Sequence, residues 1–365
     1  MSFCDLAVGG IAELQPYIPG KPIEELQRQY GVRHVIKLAS NENPLGPSKA
    51  ALAAVAKASK EMTRYPDGNG YTLKMALAEK LCLAPEQITL GNGSNDVLEL
   101  LARTFAGQGD EIIYSEHAFA VYPLVTKAIG ATGITTPARE YGHDLEAMLE
   151  AISPRTKLIF IANPNNPTGT WIEPAVIRAF LDKVPETVLV VLDEAYVEYL
   201  EQTENTVAWL KDFRNLVITR TFSKAYGLAG LRVGYALSDP DVADLLNRIR
   251  QPFNVNSLAQ VAAVAALGDE AYLQQARELN DAGMKQLCDG FDALGLEYIA
   301  SKGNFITVDV NTSADEVYDR LLYEGVIVRP VAGYGLPRHL RVSIGLAEEN
   351  QRLLDALSQI LGQDE

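Results

Sequence analysis

Short apolar segments rich in β-branched residues recur through the middle of the chain, and amphipathic segments lie between several of them. Continuous apolar runs are typical of parallel strands that are covered on both faces. Segments with one apolar face, such as 95–105 and 173–183, predict helices. The pattern therefore predicts an α/β domain with a mostly parallel central sheet. Its predicted strands are 88–90, 111–114, 158–162, 188–192, 216–219 and 233–237.

The pattern changes on both sides of this region. Three prolines between residues 14 and 22 predict an extended or turning N-terminal segment. After residue 255 the chain becomes helix-rich, and it then alternates between strands and helices up to a final helix at 347–361. We therefore expect an N-terminal arm (1–47), a large α/β domain (48–255) and a small α+β domain (256–365). The last domain has predicted strands near 305–308, 326–328 and 340–344.

Charge and cysteine content exclude several classes of function. The 365 residues include 32 basic and 47 acidic side chains, a formal net charge of −15, so no broad basic face is available for nucleic acid or an anionic membrane. No apolar segment has the length of a membrane helix. The three cysteines are scattered, without the spacing of metal ligands or a disulfide framework. We expect a cytoplasmic protein with no bound metal.

Polar, chemically capable residues follow four of the predicted strands. These four segments are Gly91–Asn95, Asn163–Gly169, Asp193–Tyr196 and Arg220–Lys224. In an open α/β sheet, ligands bind outside the carboxyl ends of the strands. Four such segments at one edge of the sheet predict a single site of cofactor size.

The Gly91–Asn95 segment precedes a predicted helix, and this arrangement suits a phosphate. Glycines permit a tight turn, and the free backbone N–H groups at a helix N-terminus attract an anion. A glycine-rich turn before a helix is more often only a turn, so this segment alone does not identify the ligand.

Lys224 and Asp193 each have a structural and a functional interpretation. Lys224 is either a solvated loop lysine or a nucleophilic amine that forms a Schiff base, and an unprotonated amine is favoured by burial and nearby cations. Hydroxyls at Thr221 and Ser223 and the guanidinium of Arg232 are candidate phosphate ligands beside it. Asp193 ends an apolar strand, where it is either a cap or salt-bridge residue or the partner of a protonated ring nitrogen.

Three segments together resemble a known enzyme family. They are NPNNPTG at 163–169, DEAY at 193–196 and SKAYGLAGLRVG at 223–234. In this order they are similar to the signature segments of aspartate-aminotransferase-like enzymes of fold type I, which use pyridoxal 5'-phosphate (PLP). The resemblance extends over nearly the whole chain. Within that group the sequence most resembles the histidinol-phosphate aminotransferases, as segments 16–22, 37–46, 64–67 and 328–343 indicate.

The resemblance implies a role for each matching residue. Lys224 would hold PLP as a Schiff base and move a proton, and Asp193 would pair with the ring nitrogen. Tyr196 and Asn166 would bond the phenolate oxygen of the ring. Phe119 would stack on the ring, at a position where many relatives have tyrosine. The cofactor phosphate would be held by Gly93, Ser94, Asn95, Thr221, Ser223 and Arg232.

The resemblance also implies a substrate site and a second subunit. Arg329 and Arg341 would bind the anionic group of the substrate, with Tyr17 and Asn166 as further substrate-binding residues. Tyr65 would reach the cofactor phosphate of the neighbouring subunit. The active unit would then be a homodimer with shared sites, and the N-terminal arm would contribute to its contacts.

The implied reaction is reversible amino transfer between L-histidinol phosphate and 2-oxoglutarate, which yields imidazole-acetol phosphate and glutamate in histidine biosynthesis. Two alternatives keep the same fold: an aminotransferase for phenylalanine or tyrosine, and a lyase similar to threonine-phosphate decarboxylases. A third class, a non-catalytic PLP-binding regulator that binds DNA, is disfavoured by the strongly negative net charge. The sequence assigns no residue to the imidazole ring and does not decide whether oligomers larger than the dimer form.

Overall fold

The computed structural model describes residues 3–7, 9–14, 21–201 and 204–362. Its α-helices alternate with strands as far as residue 249 and dominate the segment that follows. They are α1 (Ile23–Tyr30), α2 (Lys49–Ala58), α3 (Tyr71–Leu81), α4 (Ser94–Phe105), α5 (Val121–Ala128), α6 (Leu145–Glu150), α7 (Pro174–Leu181), α8 (Pro240–Ile249), α9 (Ser257–Leu267), α10 (Glu270–Ala293), α11 (Ala314–Tyr323) and α12 (Ala347–Leu361).

The strands form one large sheet, one smaller sheet and two short pairs. They are β1 (Ile36–Lys37), β2 (Ile88–Gly91), β3 (Glu111–Ser115), β4 (Thr132–Thr136), β5 (Ala138–Arg139), β6 (Gly142–His143), β7 (Thr156–Ala162), β8 (Leu189–Asp193), β9 (Leu216–Thr221), β10 (Gly234–Leu237), β11 (Tyr298–Ile299), β12 (Phe305–Asp309), β13 (Val326–Ile327), β14 (Arg329–Val331) and β15 (Leu336–Ser343).

The large sheet has seven strands in the order β2-β10-β9-β8-β7-β3-β4. The neighbours from β9 to β4 are parallel, and only β10 runs antiparallel to the strands beside it. The predicted mostly parallel sheet is therefore confirmed. The six predicted strands in this region all occur, and β4 at the edge is an additional strand.

The register of the parallel strands determines where the polar segments lie. Ala162 at the end of β7 lies beside Asp193 at the end of β8, and Asp193 lies beside Thr219 in β9. The carboxyl ends of three adjacent parallel strands thus meet at one edge. Because the polar segments follow these strands, their side chains are brought to the same place.

Both faces of the large sheet are covered by apolar side chains. One cluster joins the sheet to α3, α7 and α9, with Trp209 and Phe222 fully buried inside it. A second cluster on the other face joins the sheet to α4, α5 and α8, and it contains Tyr122 and Phe160. Two-sided burial explains why these strands read as continuous apolar segments in the sequence.

The C-terminal part has its own antiparallel sheet, in the order β11-β12-β15-β14. Its apolar face packs with α10, α11 and α12 in a separate cluster. The N-terminal segment is attached to this part, because β1 pairs with β13. Helix α9 instead packs against α2 and α3. The domain limits at residues 47 and 255 stay predictions.

Three further observations concern disulfides, membrane helices and metal-binding groups. Cys4, Cys82 and Cys288 form no disulfide. Within the described ranges, no helix is long and apolar enough to cross a membrane. The same ranges contain no group of three or more His, Cys, Asp or Glu side chains placed to hold a metal ion.

Candidate active site

A cavity of about 360 Å³ opens at the carboxyl ends of β7, β8 and β9. Its volume lies at the lower end of the range of small-molecule sites, which span roughly 300–1,000 Å³. Ten residues predicted from the sequence line it. They are Ser94, Asn95, Phe119, Asn166, Asp193, Tyr196, Thr221, Ser223, Lys224 and Arg232.

The amine of Lys224 lies in this cavity under the influence of several cations. Its Nζ donates a hydrogen bond to the Ser40 carbonyl oxygen at 3.0 Å and lies 5.8 Å from the centroid of the Tyr196 ring. Removal from water lowers the pKa of Lys224 to about 7, and the charges of Arg341 and Arg232 act in the same direction. At neutral pH a substantial fraction of this amine is therefore an unprotonated nucleophile.

Asp193 lines the cavity and is 3% exposed. Its Oδ2 accepts a hydrogen bond from the Tyr122 hydroxyl at 2.9 Å, and its Oδ1 accepts one from the Thr219 hydroxyl at 2.9 Å. Burial raises the pKa of Asp193 to about 6, while these two donors lower it. Both hydrogen bonds come from neutral groups, so the carboxylate is well placed to pair with a cationic ring nitrogen.

A chain of hydrogen bonds links Tyr196 to the smaller sheet. The Tyr196 hydroxyl accepts from Asn41 Nδ2 at 3.0 Å and from Asn166 Nδ2 at 3.1 Å. Asn166 Oδ1 in turn accepts from Arg341 Nη1 at 2.7 Å. Arg341 is only 6% exposed, and its Nη2 donates to the Ala39 carbonyl oxygen at 2.5 Å. A buried guanidinium is thus directly coupled to the centre of the site.

The N-terminus of α4 and Arg232 line the same cavity and form a candidate anion site. Gly93 precedes α4 with a φ of 84°, and the Asn92 N–H is held by Asp96 Oδ2 at 2.8 Å. Arg232 has a φ of 56°, and its Nη1 donates to the Ser223 hydroxyl at 3.2 Å. The helix N-terminus, two hydroxyls and one guanidinium together match the chemistry of a phosphate.

Four of the described predicted residues do not line this cavity: Tyr65, Arg329, Gly93, which directly precedes α4, and Arg341, which contacts Asn166. Tyr65 is 82% exposed and stacks on Phe253, with ring centroids 4.7 Å apart. Arg329 lies opposite Arg341 in the register of β14 and β15, but it does not line the cavity. Tyr17 falls outside the described residues.

The structure adds residues that the sequence did not single out. Tyr122 and Thr219 hold Asp193, Asn41 contacts Tyr196, and Ser40 and Glu42 line the cavity. Two signals were available: the polar run after β1, and a hydroxyl-bearing tyrosine on an otherwise apolar helix face. Neither signal identifies the partner, because the partners come from distant parts of the chain.

Comparison with known proteins agrees with this geometry. The family model for aminotransferase class I and II matches residues 33–357. Histidinol-phosphate aminotransferase 2 of Pseudomonas aeruginosa is 59% identical, over 99% of this chain and 99% of its own length. Histidinol-phosphate aminotransferase 1 of Idiomarina loihiensis is 57% identical, over 98% of each chain.

Solved structures show the same similarity. The histidinol-phosphate aminotransferase of Sinorhizobium meliloti, crystallised in complex with pyridoxal-5'-phosphate, has a TM-score of 0.88 and 31% identity, over 94% of this chain and 96% of its own. An aspartate aminotransferase variant of Thermus thermophilus has a TM-score of 0.80 and 27% identity, over 93% of this chain and 94% of its own. The expected fold type is therefore confirmed.

Proposed function

Because this chain belongs to the aminotransferase class I and II family, we propose that it catalyses reversible amino transfer between L-histidinol phosphate and 2-oxoglutarate, with PLP as cofactor. The products are imidazole-acetol phosphate and glutamate. The observation that carries this proposal is the pairing of Lys224 and Asp193 in one cavity, together with full-length relatives of that name. The alternatives for aromatic amino acids and for a decarboxylating lyase are not favoured by these relatives.

The residues of the cavity fit PLP on chemical grounds. A phosphate matches the α4 N-terminus with Ser223 and Arg232, and an aldehyde matches the amine of Lys224. A ring nitrogen matches the buried carboxylate of Asp193, and Phe119 offers an aromatic face. When bound, PLP supplies an aldehyde that joins amines and a ring that accepts an electron pair.

The side chains of the cavity would have separate roles in this reaction. The amine of Lys224 would hold PLP through its aldehyde, and the same amine would carry a proton to and from the reacting carbon of the substrate. Asp193, held by hydrogen bonds from Tyr122 and Thr219, would keep the ring nitrogen protonated. Tyr196 and Asn166 offer hydrogen bonds to the ring's phenolate oxygen.

We assign the substrate's anionic group to the arginines of the smaller sheet. Arg341 is buried beside Asn166, and Arg329 faces it across the β14–β15 pair. A guanidinium pairs with a phosphate or a carboxylate through parallel hydrogen bonds. The same arginines therefore suit both histidinol phosphate and 2-oxoglutarate. Tyr17, which lies outside the described residues, remains our proposed further ligand.

We also propose a cytoplasmic homodimer in which Tyr65 completes the partner's cofactor site. The exposed ring of Tyr65 stacks on Phe253, itself 44% exposed. Other large apolar side chains are also exposed in the same part of the chain, which supports the proposal of an interaction surface there. They are Leu45, Leu52, Met62, Tyr71 and Met75.

Steady-state kinetics with competing amino donors test the function. Histidinol phosphate, phenylalanine and tyrosine are each offered with 2-oxoglutarate, and glutamate formation is measured. We expect kcat/KM to be highest for histidinol phosphate, because Arg341 and Arg329 can both engage its dianionic phosphate. A higher kcat/KM for phenylalanine or tyrosine contradicts the substrate assignment. Product formation without 2-oxoglutarate beyond a single turnover contradicts amino transfer.

A further inference from the structure

The segment Ala39–Glu42 contacts each main element of the site in turn. The Ala39 carbonyl accepts from Arg341, the Ser40 carbonyl accepts from Lys224, and Asn41 donates to Tyr196. Glu42 comes next and lines the cavity. One short segment that contacts Arg341, Lys224 and Tyr196 therefore also brings a carboxylate to the cavity.

The position of Glu42 is fixed by its neighbours. Asn41 has a φ of 54°, its N–H donates to the Ser343 hydroxyl at 2.7 Å, and its carbonyl accepts from Asn304 at 3.0 Å. The Glu42 carboxylate accepts from Lys37 Nζ at 2.9 Å through either oxygen. It remains 47% exposed at the side chain, so its other lone pairs are open to a ligand.

Glu42 is the charged acceptor of the cavity lining that is most open to a ligand. The oxygens of Asp193, Tyr196 and Asn166 accept hydrogen bonds from protein groups, and these side chains are buried. The Glu42 carboxylate accepts only from Lys37 among the printed donors and stays half-exposed. Four further polar side chains of the lining belong to the proposed phosphate site, namely Ser94, Asn95, Thr221 and Ser223. Among the described lining residues, the Ser40 hydroxyl and the Glu42 carboxylate remain.

The proposed substrate has three arms around its reacting carbon. Its amine would go to the cofactor aldehyde beside Lys224 and its phosphate to Arg341, so the third arm, with the imidazole ring, would be directed to the remaining wall. A ring N–H needs an acceptor there, and a carboxylate is a stronger acceptor than a neutral hydroxyl. A phenyl ring in the same place would leave the carboxylate facing an apolar group, which disfavours binding.

We propose that Glu42 is a specificity-determining residue that accepts the ring N–H of the imidazole of the amino donor. The proposal rests on the proposed function and extends it by naming the group that separates imidazole donors from aromatic ones. It also accounts for the acidic residue in the Ala39–Glu42 segment, which the cofactor chemistry does not require.

A pair of matched donors tests this role in the holoenzyme. Histidinol phosphate and phenylalaninol phosphate share the amine and the phosphate and differ only in the ring. We expect Glu42→Gln to reduce the ratio of their kcat/KM values roughly 10- to 100-fold, the worth of one hydrogen bond to a charged group. Glu42→Asp keeps the charge and should reduce the ratio less. Glu186→Gln, on the exposed surface away from the cavity, should leave the ratio unchanged.

The outcomes separate the two proposals. A ratio that is the same in Glu42→Gln as in the wild type, with Tm preserved, overturns the role of Glu42. An equal loss for both donors assigns Glu42 to the support of Lys224 and likewise overturns it. Failure of the wild-type enzyme to turn over histidinol phosphate instead contradicts the proposed function, whatever the variants do.

Discussion

Lys224 has the environment of a reactive amine before any cofactor reaches it. Burial and the nearby guanidinium groups lower its pKa to about 7, and only Glu42 opposes this shift among the charges that act on it most strongly. A lysine in water has a pKa of about 10.4 and is almost entirely protonated at neutral pH. The fold therefore favours the neutral, nucleophilic form of the Lys224 amine.

This shift predicts the pH dependence of cofactor uptake by the apoenzyme. Only the neutral amine attacks an aldehyde, so the rate should rise as pH increases through about 7 and level off about one pH unit above. Stopped-flow absorbance after mixing apoenzyme with PLP measures this rate. A rate that still climbs steeply up to the pKa of an ordinary lysine would show that the site does not lower the pKa.

At the residue scale, the sequence predicted those residues whose neighbours along the chain form a pattern. Lys224 and Asp193 lie in contiguous signature segments, and the structure brings both to one cavity. Tyr122 and Asn41 were not singled out, although they hold Asp193 and Tyr196. Their partners are 71 and 155 residues away, so only the folded chain reveals the contact.

At the scale of elements, the proposed anion site depends on how β2 turns into α4. Gly93 has a φ of 84°, where residues with a Cβ are strained, and a Cβ there would collide with the guanidinium of Arg232. The turn and the arginine thus fit together only because the side chain is missing. The glycine-rich turn is predicted from the sequence, but this close approach of Arg232 to Gly93 is not.

Gly93→Ala is therefore expected to damage stability and cofactor binding together. The strained backbone should lower the free energy of unfolding by about 1–3 kcal/mol. Displacement of Arg232 should weaken PLP binding about tenfold or more, since hydrogen bonds to charged groups contribute about 1.5–3 kcal/mol. Denaturant unfolding and PLP titration measure the two effects. Gly107→Ala is the matched control, because its Cβ would have no neighbour within 4 Å, and equal behaviour of the two variants would refute the argument.

Strand prediction succeeded or failed according to burial. Strand β7 is buried almost throughout, so its apolar residues stand out in the sequence. Strand β4 lies at the sheet edge with mostly exposed positions and reads TGITT, which lacks a continuous apolar run. Its pairing with β3 is set by the neighbouring strand, and local sequence does not encode that.

At the scale of the whole molecule, the two sheets are joined through the site itself. Arg341 of the smaller sheet bonds to Asn166, which follows β7 of the larger sheet, and Asn41 bonds to residues of both parts. A substrate anion bound to Arg341 would therefore contact a residue that connects the two sheets. The proposed homodimer adds a second junction, through the exposed surface around Tyr65.

Mixed dimers test whether that second junction carries a shared site. Lys224→Ala removes the amine of a subunit's own site, whereas Tyr65→Phe removes a hydroxyl that we assign to the partner's site and keeps the stacking on Phe253. We expect Lys224→Ala dimers to lose turnover by about 100-fold or more, and Tyr65→Phe dimers to bind PLP more weakly.

In a heterodimer of the two variants, one site carries both changes and the other carries neither. Purified heterodimers should therefore regain close to half of the wild-type activity at limiting PLP. If Tyr65 served its own subunit, the only site with a lysine would also carry the Tyr65 change, and PLP binding at that site would stay weak.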